Sequence, residues 1–272
     1  MKIRVLPFII TIGILGAGYL GIQRTNDSFN NSENSSEILQ VEEKLSNMSV
    51  TNSVVSEEDE VQNQASAVSQ SENQSQTEAT IEGVPHIKQM PELARGCEVT
   101  SLAMLLQFAG VSVDKITLAK EIKTVPFRDQ NGIRSNPNDG FVGDIYSFDN
   151  SGYGVYHGPI ADLAETYLPG RIIDLTGEGI AAVYQQLNNG VPVWVVTNSR
   201  FALLPEDQFS IWDTSSGEVQ ITYREHSVLV VGYDENNVYI NDPLADKAYT
   251  SVPKANFEAA WEQMGSQAVS YA

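Results

Sequence analysis

Residues 81–272 of this 272-residue chain predict an α+β fold, and three observations carry that reading. Helical spacing comes first, in the apolar face made by Val99, Leu102, Ala103, Leu105, Leu106 and Phe108. Strand-like runs come late, in Val191–Val196, Ser227–Tyr233 and Val238–Asn241. The last two runs are joined by Asp234-Glu235-Asn236-Asn237, a turn short enough to pair them antiparallel. A helix first and an antiparallel sheet later is an α+β arrangement.

Two segments precede that domain. Lys2 and Arg4 stand before an apolar run of 18 residues, Val5 to Ile22, closed by Gln23 and Arg24. Such a run just reaches across a hydrocarbon layer of ~30 Å at ~1.5 Å per residue. Residues 1–24 therefore read as an export signal or a membrane anchor. No small residues at alternate positions follow the run at a usable distance, which favours an uncleaved anchor with its N-terminus inside. The first part of the chain holds no cysteine for lipid attachment. Residues 25–80 are rich in Asn, Ser, Gln and Glu and nearly free of aromatic residues, so they bury too little apolar surface to offset the entropy of ordering. They read as a disordered tether of about 40 Å r.m.s. reach, or as a neutral spacer. The expected location is the outer face of the cell membrane, or the medium if the first segment is cleaved.

Within the domain, Pro85 and Pro91 hold the entry segment extended. The helix carrying Cys97 in its first turn runs until Gly110, and Asp114 opens a second over Ile116–Ile122. Residues 124–156 are rich in Gly, Asn, Asp, Pro and aromatics without periodicity, long enough to wall a cleft. Helical spacing returns over Pro159–Tyr167 and Gly179–Asn188, stopped by Asn189-Gly190. A strand follows at Val191–Val196, then a hairpin over Ile211–Tyr223 turning at Ser216-Gly217. A helix over Phe257–Met264 and a final edge strand at Ala268–Tyr271 close the domain.

Cys97 is the chain's one cysteine. A helix N-terminus presents unpaired N–H groups and the positive end of the macrodipole, so the expectation is a thiol pKa below the free value of ~8.5. The bland alternative is a small buried hydrophobe. His226 opens the strand whose antiparallel neighbour ends at Asp242, so the register lets imidazole and carboxylate meet. Gln89 supplies a side-chain amide upstream of Cys97. His86 and His157 are competing histidines in loop-like segments, and Asp139, Asp144 and Asp149 read as turn residues. With 16 basic against 35 acidic residues, net −19, the charge disfavours nucleic acid or an anionic membrane surface as a partner, since both need clustered Lys and Arg, and the membrane is met only through residues 5–22. No CxxC, HExxH or paired Cys/His cluster occurs, so no metal or other cofactor is expected. Oligomeric state is not legible.

The runs Gln89–Met104 (Q-M-P-E-L-A-R-G-C-E-V-T-S-L-A-M), F-V-G-D with G-Y-G-V-Y, D-L-T-G at Asp174–Gly177, G-V-P-V-W-V, and H-S-V-L-V-V-G-Y-D with V-Y-I-N-D-P are similar to those of a known group. They resemble the stand-alone, exported relatives of the bacteriocin-processing, double-glycine cysteine peptidases of Gram-positive bacteria, family thirty-nine of the cysteine peptidases. The resemblance covers about Val84 to the C-terminus and implies a papain-like fold acting on peptide or protein. It implies Cys97 as nucleophile, His226 as general base and acid, Asp242 as the residue orienting the imidazole, and Gln89 as oxyanion donor. One departure is the gap of eight residues from Gln89 to Cys97, longer than in papain or the transporter-fused peptidases. An acyl-transferring or cell-wall-peptide enzyme on the same scaffold would show the same residues. A catalytically silent binding module is the reading from a different class.

Overall fold

The structure, a computed structural model, describes residues 77–272; the expected anchor at 5–22 and most of the expected tether lie outside the described residues. Among the described residues no helix is long and apolar enough to cross a membrane.

The first strand, β1 (Ala79–Thr80), leads through an extended segment to α1 (Cys97–Phe108) and α2 (Lys115–Glu121). Asp114 caps α2 by accepting from the Thr117 N–H, which satisfies one of the donors a helix start leaves orphaned. The aperiodic region contributes only β2 (Thr124–Val125) and β3 (Phe141–Val142), paired parallel. Then come α3 (His157–Tyr167), β4 (Ile172–Asp174), α4 (Ile180–Asn188) and β5 (Val193–Asn198). A hairpin of β6 (Ser210–Thr214) and β7 (Gly217–Ile221) precedes the long β8 (Glu225–Tyr233). The chain ends with β9 (Asn237–Asn241), β10 (Thr250–Pro253), α5 (Lys254–Gln263) and β11 (Ala268–Tyr271).

The main sheet has the order β10-β9-β8-β5-β11-β4, antiparallel throughout, and β1 pairs with the far end of β8. At that junction a Cβ on Gly232 would lie 2.6 Å from the Ala79 carbonyl oxygen, so only glycine lets β1 approach. Ala268–Tyr271 is not the edge strand expected from sequence. It lies between β5 and β4, because Ile172–Asp174, too short to display alternation, closes the sheet beyond it.

Helix α1 is buried all round rather than on one stripe: Val99, Leu102, Ala103, Met104, Leu105 and Leu106 are fully inaccessible. It packs on β8 and β5, with α2 and α3 also against it. Two polar contacts fix its first turns on the sheet. Trp194 Nε1 of β5 donates to the Glu98 carbonyl at 3.0 Å, and Ser101 Oγ donates to the Ser227 carbonyl of β8 at 3.1 Å. A smaller core of Val142, Tyr153, Tyr156, Trp212 and Ile221 ties the aperiodic region to the β6–β7 hairpin. That second core builds a wall beside the start of α1.

Candidate active site

Cys97 is the first residue of α1, and the turn before it depends on glycine at position 96. A Cβ there would lie 2.6 Å from Leu93 Cβ, closer than two carbons can pack. No side chain caps this helix start, so its first N–H groups remain available. The cysteine itself is buried, with 8% of its surface exposed.

His226, second residue of β8, and Asp242, just after β9, meet as the hairpin register requires: Nε2 lies 2.8 Å from Asp242 Oδ1. The same Oδ1 accepts from the Leu244 N–H at 2.8 Å, which fixes the carboxylate as well as the ring. Burial opposes charge on Asp242, but the hydrogen bond from His226, its positive charge when protonated and the Leu244 N–H together hold the carboxyl below its ordinary value. With Nε2 committed to Asp242, Nδ1 is the imidazole nitrogen left to exchange a proton with a nucleophile. Phe201 packs on the ring at 6.0 Å between centroids. His86, a competing histidine by sequence, stands behind this pair, its Nε2 2.9 Å from the Asp242 backbone oxygen. His157 lies 2.7 Å from Asp174 through Nδ1 and does not line the cleft.

Gln89 is 3% exposed, and its Nε2 donates to the Ala94 carbonyl at 3.0 Å while Oε1 has no partner. Its backbone is anchored on the Asp242 side, the N–H reaching the Pro243 oxygen at 2.9 Å. Arg95 holds the opposite wall: Nη1 donates to the Asp144 carbonyl at 3.1 Å and also to that of Ser147, and the guanidinium sits 4.8 Å over the Phe148 ring. The resulting cleft, about 380 Å³, is lined by Gln89, Cys97 and His226, with Phe148, Tyr223 and Leu244 at its exposed rim. The structure thus brings Cys97, His226 and Gln89 around one cleft, with Asp242 behind His226.

Two carboxyl groups beside the thiol were not singled out from the sequence. Glu98 is fully buried; its Oε1 accepts from the Val155 N–H at 2.8 Å and its Oε2 accepts the Cys97 thiol hydrogen at 3.3 Å. Glu225 lies alongside, Oε1 buried without a partner. Burial pushes Glu98 up to about 7, and burial with Glu98 beside it pushes Glu225 well above the usual carboxylate range. The expected low thiol pKa is reversed in this arrangement. Burial first, then the Glu98 and Glu225 charges, push Cys97 well above its ordinary value, and the Ser227 N–H offsets this only in part. The helix terminus is outweighed because a carboxylate at hydrogen-bond distance in a dry site repels a thiolate more strongly than half a unit charge attracts it. Cys97 Sγ and one oxygen each of Glu98 and Glu225 lie within 4.8 Å of one another. The signal for both glutamates was adjacency: Glu98 follows Cys97 and Glu225 precedes His226 in the chain.

The crystal structure of a protein from Bacillus anthracis described as a "putative C39-like peptidase" is similar to this chain, with 55% identity and a TM-score of 0.71, over 72% of this chain and 97% of that one. The uncharacterized protein YvpB of Bacillus subtilis (strain 168) is 52% identical over 179 residues, 66% of this chain and 70% of YvpB. A model of the Peptidase_C39-like family matches residues 81–269, the whole span from the end of β1 into β11. The mixed helix and antiparallel-sheet architecture is that of the C39-like structure, and this chain belongs to the Peptidase_C39-like family.

Proposed function

We propose that the domain is a cysteine-type peptidase that cleaves peptide bonds by acyl transfer through Cys97. Family membership supports a peptidase and a peptide substrate; the residue roles rest on the geometry. The observation that carries them is the 2.8 Å contact between His226 Nε2 and Asp242 in the cleft that Cys97 and Gln89 also line. In the first half-reaction the sulfur attacks the scissile carbonyl carbon while His226 Nδ1 takes the thiol proton. The oxygen gains negative charge and is met by the second Gln89 Nε2 hydrogen and by the Cys97 backbone N–H. As the C–N bond breaks, the imidazolium returns its proton to the leaving amine, and the acyl group remains as a thioester. Water, deprotonated by the same imidazole, attacks the thioester, and the released sulfur recovers the proton. Asp242 keeps the ring oriented and favours the imidazolium in both halves.

Residues 5–22 favour a location at the outer face of the membrane, with the domain held out on residues 25–80. Hydrolysis of a peptide mixture, followed by mass spectrometry, tests both statements. The natural chain should cleave, and Cys97→Ala and His226→Ala should not, each keeping the circular dichroism of the parent. Retained cleavage in Cys97→Ala sinks the proposal. The same assay on washed cells and on culture medium reads location, with activity on cells expected; activity confined to the medium would mean a cleaved signal.

A further inference from the structure

Glu98 and Glu225 take no part in the acyl transfer, yet both stand beside the sulfur. Oxygens of the two carboxyls and Cys97 Sγ lie within 4.8 Å of one another. The region is closed over by backbone: a Cβ on Gly154 would lie 2.4 Å from Glu98 Oε1 and 3.1 Å from Glu225 Oε2, so glycine there lets the loop seal both. Other titratable groups face the cluster from the elements packed on it. Tyr153 and Tyr156, from the loop and the start of α3, bond to each other through their hydroxyls at 3.1 Å, and burial keeps both phenols protonated. His226 stands on β8 beside Glu225, with Asp242 behind it. The head of Arg95 is committed to the Asp144 and Ser147 carbonyls. No ion pair among the described residues reaches either glutamate.

Two carboxylates this close in a dry site cannot both ionise easily. We infer that Glu98 and Glu225 act together behind the nucleophile, Glu98 accepting the resting thiol hydrogen at 3.3 Å and Glu225 setting a second buried carboxyl oxygen beside it, so that together they set how tightly Cys97 keeps its hydrogen. The inference rests on Cys97 being the nucleophile. Starting the reaction requires the sulfur to leave Glu98 and pass its proton to His226 Nδ1. Every negative charge on the pair opposes the thiolate that results, and protonating the pair removes that opposition.

Because the chain has a single cysteine, the ultraviolet absorbance of its thiolate, taken as a difference from the same protein with Cys97→Ala, titrates this group alone. The full chain is used, and no turnover is needed. Loss of hydrolysis would therefore strike the peptidase reading while leaving this measurement intact. Glu98→Gln should lower the thiol midpoint by about one pH unit or more, about tenfold more thiolate at neutral pH. Glu225→Gln should lower it by less, since an ionised Glu98 still faces the sulfur, and Glu98→Asp should restore most of the natural value. A purely structural role would lower thermal stability and leave the midpoint in place. An unmoved midpoint in Glu98→Gln overturns the inference. If that variant does not fold, an unmoved midpoint in Glu225→Gln overturns it equally, because Glu225 Oε1 has no hydrogen bond to lose.

Discussion

At Gln89 one amide hydrogen is committed to the Ala94 carbonyl at 3.0 Å, so any contribution to an oxyanion comes from the second hydrogen on Nε2. That contact strengthens only as the carbonyl oxygen gains charge. Gln89→Ala should therefore cut kcat about 10²-fold with little change in KM, read from steady-state kinetics on a cleaved peptide. An effect confined to KM would make Gln89 a substrate-binding residue instead. Asp242→Asn keeps an oxygen that can accept from both His226 Nε2 and the Leu244 N–H, and loses only the charge. Turnover should fall by orders of magnitude less than in Cys97→Ala, and equal losses would show that Asp242 does more than orient the ring. That Cys97, His226 and Gln89 share a cleft, with Asp242 against His226, could be anticipated because each sits at a punctuated place in the sequence: a helix start, a strand start, a hairpin end, a proline-bounded loop. The ionisable setting of Cys97 could not. Glu98 and Glu225 are 127 positions apart and meet only when β8 crosses under α1, so the thiol pKa came out in the opposite direction from the expectation.

Among the elements, α1 and the sheet beneath it form one device for presenting the sulfur. The helix start is stitched to β5 through Trp194 and to β8 through Ser227, the strand that also carries His226. Gly96 makes the turn into that helix possible by leaving room for Leu93. Gly96→Ala must push Leu93 or the helix aside. A loss of about 1–3 kcal/mol in denaturant unfolding is expected, together with weaker hydrolysis because the sulfur moves with the helix. Unchanged stability would mean that Leu93 repacks freely. The helices and the β6–β7 and β8–β9 hairpins were readable because periodicity and turn residues are local signals. β1, β4 and β10, of two to four residues, were not, since such strands exist only through the partners that pair with them. Missing β4 is what made β11 read as an edge.

For the molecule as a whole, buried carboxyls pull stability in two directions. Glu98 and Glu225 bind their protons more tightly folded than unfolded, so their contribution is complete below the unfolded value of ~4.3 and is lost as pH rises, through about 7 for Glu98. Asp242 binds its proton less tightly folded, so its contribution is complete above ~3.9 and is lost as pH falls through the lower folded value. The full chain should therefore melt at a higher temperature near pH 5.5 than at pH 8, measured by calorimetry in one ionic strength, and Glu98→Gln should flatten the difference. A melting temperature that climbs from pH 5.5 to 8 would contradict this. The net charge of −19 adds self-repulsion with the same sign.

Cys97 is 8% exposed, with its hydrogen directed at Glu98. Peroxides react with thiolates that solvent can reach, and a protonated thiol this buried offers them neither the charge nor much access. An arrangement that holds the thiol hydrogen also preserves the sulfur as a reduced group. A chain with no second cysteine to form a rescuing disulfide would otherwise lose its only thiol to sulfinic acid, which does not return. On the proposed reading, durability between substrates is set by the same two glutamates that set reactivity.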